Sequence, residues 1–280
     1  MLVFPNCKIN IGLNIVERLP NGFHLLESVL YPINWCDALE ILPQNEDLDP
    51  TTPFFTSSGL VIDPKNHQNH QNICIEAYQL LKKDFDLPKI MMHLHKNIPI
   101  GAGLGGGSSD GAFALKTLNN LFNLDLSPTL LEQYASRLGS DCPFFIQNQA
   151  AYLYGTGKEL TPIDLDLSPY NILLVNPNIA ISTAEAYGLV RAKGKNEVSL
   201  SQIVLEKSIK DWKNEVINDF ETFLFPKYPV LNDIKQKMYD LGSIYAAMSG
   251  SGSTLFGIFD KKVDTKHHFP NYQCHQIKSD

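Results

Sequence analysis

Over residues 8–16, Ile9, Ile11, Leu13 and Ile15 alternate with Asn10, Gly12 and Asn14. A period of two is that of a strand with one buried face, and it puts Lys8 and Asn10 together on the other face. Asn21-Gly22 marks a turn, and the apolar runs at 28–33 and 38–42 read as further strands. Between 43 and 72 the pattern gives way to proline, Asn, Gln and His, which predicts irregular connections with short strands such as 60–62. Ile73, Ala77, Leu80 and Leu81 then fall at helical spacing. Ile90, Met92 and Leu94 alternate with Met91, His93 and His95, so a strand follows.

Past a glycine-rich stretch, Ala112, Leu115, Leu118 and Phe122 line one side of a helix. Ser127-Pro128 is an N-cap followed by an N1 proline, opening a helix that carries Leu131, Tyr134, Ala135 and Leu138 and stops at Gly139. Residues 150–154 and 171–175 suit strands, and a capping box Ser182-x-x-Glu185 starts another helix. Leu231, Ile234, Met238 and Leu241 define a helix that ends at Gly242. The last motif, Met248-Ser-Gly-Ser-Gly-Ser253, lies between apolar runs at 244–248 and 255–259. No repeat of 20–50 residues is present, and the mixture reads as α+β. The proline- and aspartate-dotted stretch 161–169 is the candidate boundary, giving domains 1–162 and 163–280.

Composition narrows the function. The 280 residues hold 23 basic and 30 acidic side chains, a net charge of −7, which disfavours a protein built to cover nucleic-acid phosphate. A hydrophobic fraction of 44% is enough to build a core and excludes disorder throughout. No apolar run reaches the ~18 residues of a membrane span, and the start MLVFPNCK lacks the charged and apolar regions of a signal peptide. The five cysteines are scattered, odd in number and without a CxxC, which predicts reduced thiols in a cytoplasmic protein.

The sharpest candidate chemistry is Pro99-Ile-Gly-Ala-Gly-Leu-Gly-Gly-Gly-Ser-Ser-Asp110, running directly into a helix. Backbone N–H groups with few Cβ atoms around them, aimed at a helix N-terminus, suit phosphate. A flexible turn is the plainer alternative, but it needs one or two glycines, not five in seven. Gly101-x-Gly103-x-x-Gly106 matches a dinucleotide fingerprint, yet Asp125 precedes a capped helix and does not end a strand. The Gly-Lys-Ser/Thr of a Walker A loop and the HRD and DFG partners of a protein kinase are absent.

Asp141, in Gly139-Ser-Asp-Cys-Pro143, is either a solvated loop aspartate or a catalytic base. Lys8 is either a snorkelling strand-start lysine or the partner that keeps such a carboxylate ionised. Ser249-Gly-Ser-Gly-Ser253 is a second glycine-serine turn, weak alone but, with the first, suggestive of a cleft lined by backbone donors. His67, His70, His93, His95, His267 and His268 have no Cys or acid partners at metal spacing and read as surface residues. Phe23 and His24, in a turn, suit stacking on a planar base and hydrogen bonding to it, with core packing as the alternative for Phe23.

Taken together these segments resemble the GHMP small-molecule kinases. Residues 99–110 resemble the family's second motif, and the variant GLGGGSSD resembles the branch that phosphorylates a cytidine-diphosphate-linked alcohol. Pro5-Asn-Cys-Lys-Ile-Asn10, Asn21-Gly-Phe-His24, Leu138-Gly-Ser-Asp-Cys-Pro143 and Met248–Ser253 resemble that branch's other motifs, in the same order. Asn21 and Phe23 depart from its usual aspartate and tyrosine, one residue is extra before Lys8, and Gly106 and Gly107 replace serines of the wider family.

The resemblance implies an N-terminal domain like the second domain of ribosomal protein S5 and a ferredoxin-like C-terminal domain, with ATP and substrate meeting between them. It implies Asp141 as base and Lys8 as its partner. Pro99, Ile100, Gly101, Ala102, Gly103, Leu104, Gly105, Gly106, Gly107, Ser108 and Ser109 would wrap the ATP phosphates, with Asn72 and Lys96 near the adenine. Asn10, Phe23, His24, Thr183 and Tyr187 would contact the substrate. Mg²⁺ is expected with ATP, its protein ligands left open. A small-molecule substrate, no nucleic acid, no membrane, and a monomer or weak homodimer complete the expectation. The alternatives are a GHMP kinase acting on homoserine, mevalonate or a sugar, and a non-catalytic sensor on the same fold. An RNA-binding module is disfavoured by the charge.

Overall fold

The computed structural model describes residues 1–44, 54–62, 72–192, 194 and 197–277. Backbone contacts divide the chain into two compact units. Unit 1 comprises Met1–Cys7, Asn34–Ile100 and Gly105–Asn148; unit 2 comprises Lys8–Ile33, Gly101–Leu104 and Gln149–Asp280. Strands and helices are mixed in both, which is the α+β class expected.

Unit 1 holds a four-stranded sheet in the order β1-β4-β6-β5, where β1 is Leu2–Val3, β4 Ala38–Pro43, β6 Ile90–Lys96 and β5 Phe55–Gly59. β4 pairs antiparallel with β6, and β5 pairs parallel with it, Phe55 opposite Met92. The short strand expected at 60–62 is therefore corrected to 55–59. Glycine explains where it ends: Gly59 has φ +79°, and a Cβ there would lie 2.2 Å from the Lys96 carbonyl. The other irregular stretches, 45–53 and 63–71 with His67 and His70, lie outside the described residues.

Among the described residues four helices belong to this unit: α1 Ile73–Lys82, α2 Gly106–Leu121, α3 Pro128–Leu138 and the short α4 Phe144–Gln147. The Asn72 side chain caps α1 by accepting from the Cys74 amide at 2.9 Å, and Ser127 caps α3 by accepting from Leu130. Gly111 of α2 faces Ile73 of α1: a Cβ there would meet the Ile73 side chain at 2.8 Å, so its absence allows the close approach of the two helices.

Unit 2 takes most of the long strands β2 (Asn6–Arg18) and β3 (His24–Cys36), which join β7 (Ala151–Tyr154) and β8 (Glu159–Pro162) in the order β2-β3-β7-β8. Pro32 sits inside β3 without breaking it. β7 pairs with Ser28–Leu30, just before that proline. The second sheet, β10-β11-β9-β12, is antiparallel throughout, with β9 Asn171–Asn176, β10 Tyr245–Met248, β11 Leu255–Phe259 and β12 Gln273–Ile277. In order of appearance its strands run 2-3-1-4, with α5 (Thr183–Leu189) to α9 (Pro229–Asp240) between the first two and α10 (Thr265–His268) before the last. That is the ferredoxin-like arrangement. The intervening α6 (Leu200–Glu206), α7 (Trp212–Glu215) and α8 (Glu221–Lys227) are short, and Trp212 is fully buried.

One periodicity reading changes. β2 was expected to bury a single face, but every residue from Asn6 to Leu13 is buried, Lys8 and Asn10 included. The polar face is covered because its side chains are hydrogen-bonded to the strands and turns beside it: the Asn10 amide donates to Ser28 Oγ at 2.8 Å. Lys8 is accordingly not a snorkelling surface lysine.

Candidate active site

In unit 2 the tip of the glycine segment, Gly101–Leu104, is fixed by its two non-glycine side chains, Ala102 and Leu104, which are both buried. Gly101 and Gly103 have φ of +65° and +79°, so the chain doubles back between those anchors. The tip meets the second glycine-serine turn. Ser249 Oγ donates to the Gly103 carbonyl at 2.9 Å, and the Thr254 amide donates to the Ala102 carbonyl at 3.2 Å. A Cβ on Gly103 would lie 2.0 Å from the Ser249 carbonyl oxygen, so no other residue fits there.

Lys8 belongs to the same cluster. Its amide donates to the Leu104 carbonyl at 2.9 Å, and its ammonium donates to Asn10 Oδ1 at 2.6 Å and to the Gly103 carbonyl at 3.0 Å. Asn10 passes the order on: its amide nitrogen Nδ2 bonds Ser28 Oγ, which donates to the Gly12 carbonyl, and its backbone N–H donates to Ser249 Oγ. The second turn is braced from behind by Asn218, fully buried, whose Nδ2 donates to the carbonyls of Met248 and Gly250. Asn218 went unnoticed in the sequence because it stands alone among short helices with no motif around it.

In unit 1 the segment continues into α2. Gly105, at φ 69°, precedes the helix and offers no side-chain cap. The first helical bond runs from the Ser109 amide to the Gly105 carbonyl, so the amides of Gly106, Gly107 and Ser108 have no acceptor within the helix. A helix end whose first N–H groups have no helical acceptor carries a positive dipole, which favours an anion. Gly107 is exposed, and a Cβ there would meet nothing within 4 Å, which leaves room for a ligand.

Asp141 lies in the turn after α3, partly exposed, on the same side of unit 1 as that helix end. The link is its neighbour Cys142, fully buried and hydrogen-bonded to the Ser108 side chain. Burial pushes the Cys142 thiol up to about 12, so it is an inert neutral group. Asn72 and Lys96 are engaged structurally: Asn72 caps α1, and the Lys96 ammonium, buried, pairs with Asp37 and with Asp110 at 2.7 Å. Burial drives the Asp110 carboxyl up to about 8, against the pull of Lys96. Sequence reading missed both aspartates. A signal for Asp110 existed: with Ala114 and Thr117 it falls at i, i+4 and i+7 on a buried helix face.

The His24 and Tyr187 rings sit 5.2 Å apart and tilted by 36°, and Tyr187 in turn packs edge-on against Phe220. Partial burial, helped by Arg18, holds His24 below the ordinary histidine value, so the imidazole is neutral at pH 7. Phe23 beside it is 62% exposed, so core packing is excluded for that ring. Thr183 opens α5, exposed, behind the Ser182 cap.

The chain is similar to known proteins along most of its length. Residues 72–156 match the GHMP kinases N terminal domain, and residues 205–266 match the GHMP kinases C terminal family. A 4-diphosphocytidyl-2-C-methyl-D-erythritol kinase of Azobacteroides pseudotrichonymphae is 49% identical over 93% of this chain and 94% of its own. One from Bacteroides fragilis is 45% identical over 99% of both. A crystal structure of 4-(cytidine 5'-diphospho)-2C-methyl-D-erythritol kinase superposes over 99% of this chain and 98% of its own, with a TM-score of 0.81 at 26% identity. The Methanococcus jannaschii mevalonate kinase, at 14% identity and a TM-score of 0.70, shares the fold. With two glycine turns joined at Lys8, an uncapped helix end beside Asp141 and relatives matched along almost their full length, the chain belongs to the 4-diphosphocytidyl-2-C-methyl-D-erythritol kinase family of GHMP kinases.

Proposed function

We propose that the chain transfers the γ-phosphoryl group of ATP to the 2-hydroxyl of 4-diphosphocytidyl-2-C-methyl-D-erythritol, giving the 2-phosphate and ADP, a step of the non-mevalonate route to isoprenoids. The observation that carries this reading is the 49% identity, over 94% of its length, to a relative bearing that kinase's name. Residues 1–162 correspond to the family's N-terminal domain and 163–280 to its C-terminal domain; the two family matches fall on either side of that boundary.

Phosphoryl transfer to an alcohol requires positioned reactants, neutralised phosphate charge and a proton acceptor. Residues 99–109 bind the nucleotide phosphates through backbone N–H groups, with Asn72 and the backbone of Lys96 beside the adenine. Asp141 takes the proton of the attacking hydroxyl, and Lys8 stabilises charge on the transferring group. Asn10 orients Lys8 and stands near the acceptor. The neutral His24 ring offers one donor and one acceptor to the cytosine edge, with Phe23, Tyr187 and Thr183 as the surrounding contacts. Magnesium supplies charge neutralisation on the phosphates when bound. Among the described residues no three His, Cys, Asp or Glu side chains converge on a metal position.

Among the described residues no helix is long and apolar enough to cross a membrane. A cytoplasmic enzyme acting as a monomer or weak homodimer fits this reading. The test is a panel of acceptors in a coupled ADP-release assay. The cytidine substrate is expected to exceed homoserine and mevalonate in kcat/KM by about 1,000-fold or more, because a site built to hydrogen-bond a base rejects ligands lacking one. Comparable values for either competitor would transfer the chain to another branch of the family.

A further inference from the structure

We propose that the buried cluster Asp37–Lys96–Asp110 is the frame that holds the two ends of the glycine segment at the spacing phosphate binding requires, which makes these three positioning residues for the nucleotide. The inference rests on reading that segment as the ATP loop.

Both flanks of the segment close on one ammonium group. On the entering side, Asp37 accepts from the amides of Asn97 and Ile98 at 2.6 and 2.9 Å through Oδ1, and pairs with Lys96 through its other oxygen. Asp37 is itself fixed by its own amide, which donates to the Pro5 carbonyl at 2.9 Å. On the leaving side, Asp110 of α2 accepts from Lys96 at 2.7 Å. Lys96 therefore ties the residues before Pro99 to the first turns of α2.

Sterics reinforce the tie. A Cβ on Gly106 would lie 2.9 Å from Ile98 Cγ2 and 3.5 Å from the Lys96 ammonium. The uncapped helix end is thus seated directly on the residues that the cluster fixes. All three side chains are at most 5% exposed. Groups this deep cannot meet ATP phosphates themselves, and an ammonium held between two carboxyl groups, one of them raised to about 8 by burial, has its charge already matched. Its effect on a ligand is exerted through the backbone it holds. Burying such a cluster is costly, and a hydrophobic core would serve stability as well. Fixing a loop whose glycines would otherwise sample many conformations is a use that apolar packing does not supply.

The test is ADP binding by calorimetry, with thermal melts run alongside. Asp110→Ala is expected to weaken ADP by about tenfold or more, a loss of preorganisation. Asp110→Asn, which keeps an acceptor for Lys96, is expected to remain within about threefold of wild type. Should Asp110→Ala not fold, the uncharged triple variant Asp37→Asn/Lys96→Met/Asp110→Asn takes its place, since it leaves no buried charge unpaired. It too is expected to lose about tenfold or more in ADP affinity while melting within a few degrees of wild type. A folded Asp110→Ala or triple variant that binds ADP as wild type does would overturn the frame while leaving the ATP-loop reading intact. An equal loss in Asp110→Asn and Asp110→Ala would overturn the positioning role as well. A wild-type protein that binds no ADP would overturn the ATP-loop reading, and the frame with it.

Discussion

The ammonium of Lys8 lies 3.0 Å from the carbonyl oxygen of Gly103, 95 residues further along the chain. A lysine at a strand start and the tip of a glycine segment are thereby one structural object. Its position is not left to rotamer freedom, because Asn10 Oδ1 holds the same ammonium at 2.6 Å and Ser28 fixes the Asn10 amide. A cation preorganised in this way stabilises developing charge without reorganising during the reaction.

Lys8→Met is therefore expected to lower kcat by about 100-fold or more, the scale of removing one preorganised charge-stabilising donor. Stability should fall too, by ~1–3 kcal/mol, because buried Asn10 Oδ1 loses the ammonium and the Gly103 carbonyl loses one of its donors. Turnover and melting temperature measured on one preparation separate the two effects. A folded Lys8→Met enzyme with turnover near wild type would remove Lys8 from the chemistry.

The glycines of the segment should divide by function. At Gly103 the backbone is left-handed and the Ser249 carbonyl occupies the space of a Cβ, so Gly103→Ala is expected to cost more than ~2 kcal/mol of stability. Gly107 is helical with open space around it, so Gly107→Ala should gain up to ~1 kcal/mol from helix propensity. If phosphate approaches the open helix end, the same methyl group raises the KM for ATP. Equal melting temperatures for the two variants would contradict this division.

His24 gives a pH prediction with a definite sign. Its folded value lies below the ordinary 6.5, so the imidazole is neutral at pH 7 and charges only on acidification. A neutral ring presents both a donor and an acceptor to cytosine, whereas the charged ring presents donors alone. The KM for the cytidine substrate should be flat from pH 7 to 8 and rise as pH falls through the histidine range, and His24→Gln should flatten that rise. A KM that rises instead above pH 7 would contradict a neutral His24 as the reading group.

Much of this was legible in the sequence, and the residues that were not have a common reason. The alternation of Ile9, Ile11, Leu13 and Ile15 reports β2, and Ser127-Pro128 and Ser182-x-x-Glu185 report helix starts, because those signals are local. The glycine segment is legible for the same reason. Burial of Lys8 was not, since the groups that cover it, Gly103 and Asn10, act through a loop far away and through an amide held by Ser28. Asp37 and Asp110 were missed because their partner Lys96 lies 59 and 14 residues away. Strand β5 was placed a few residues late because its pairing with β6 decides its limits, while its own sequence, Phe-Thr-Ser-Ser-Gly, has no apolar alternation.

The product of a single reaction decides whether this chain phosphorylates the cytidine-linked alcohol. The purified protein is incubated with magnesium-ATP and 4-diphosphocytidyl-2-C-methyl-D-erythritol, the product is weighed by mass spectrometry, and the new phosphate is located by phosphorus NMR. A product heavier by one phosphoryl group, esterified at the 2-hydroxyl and absent with Asp141→Asn at matched time and ATP affinity, is the predicted result. No product although ATP binds, a phosphate on a different hydroxyl, or undiminished turnover by Asp141→Asn would contradict the account.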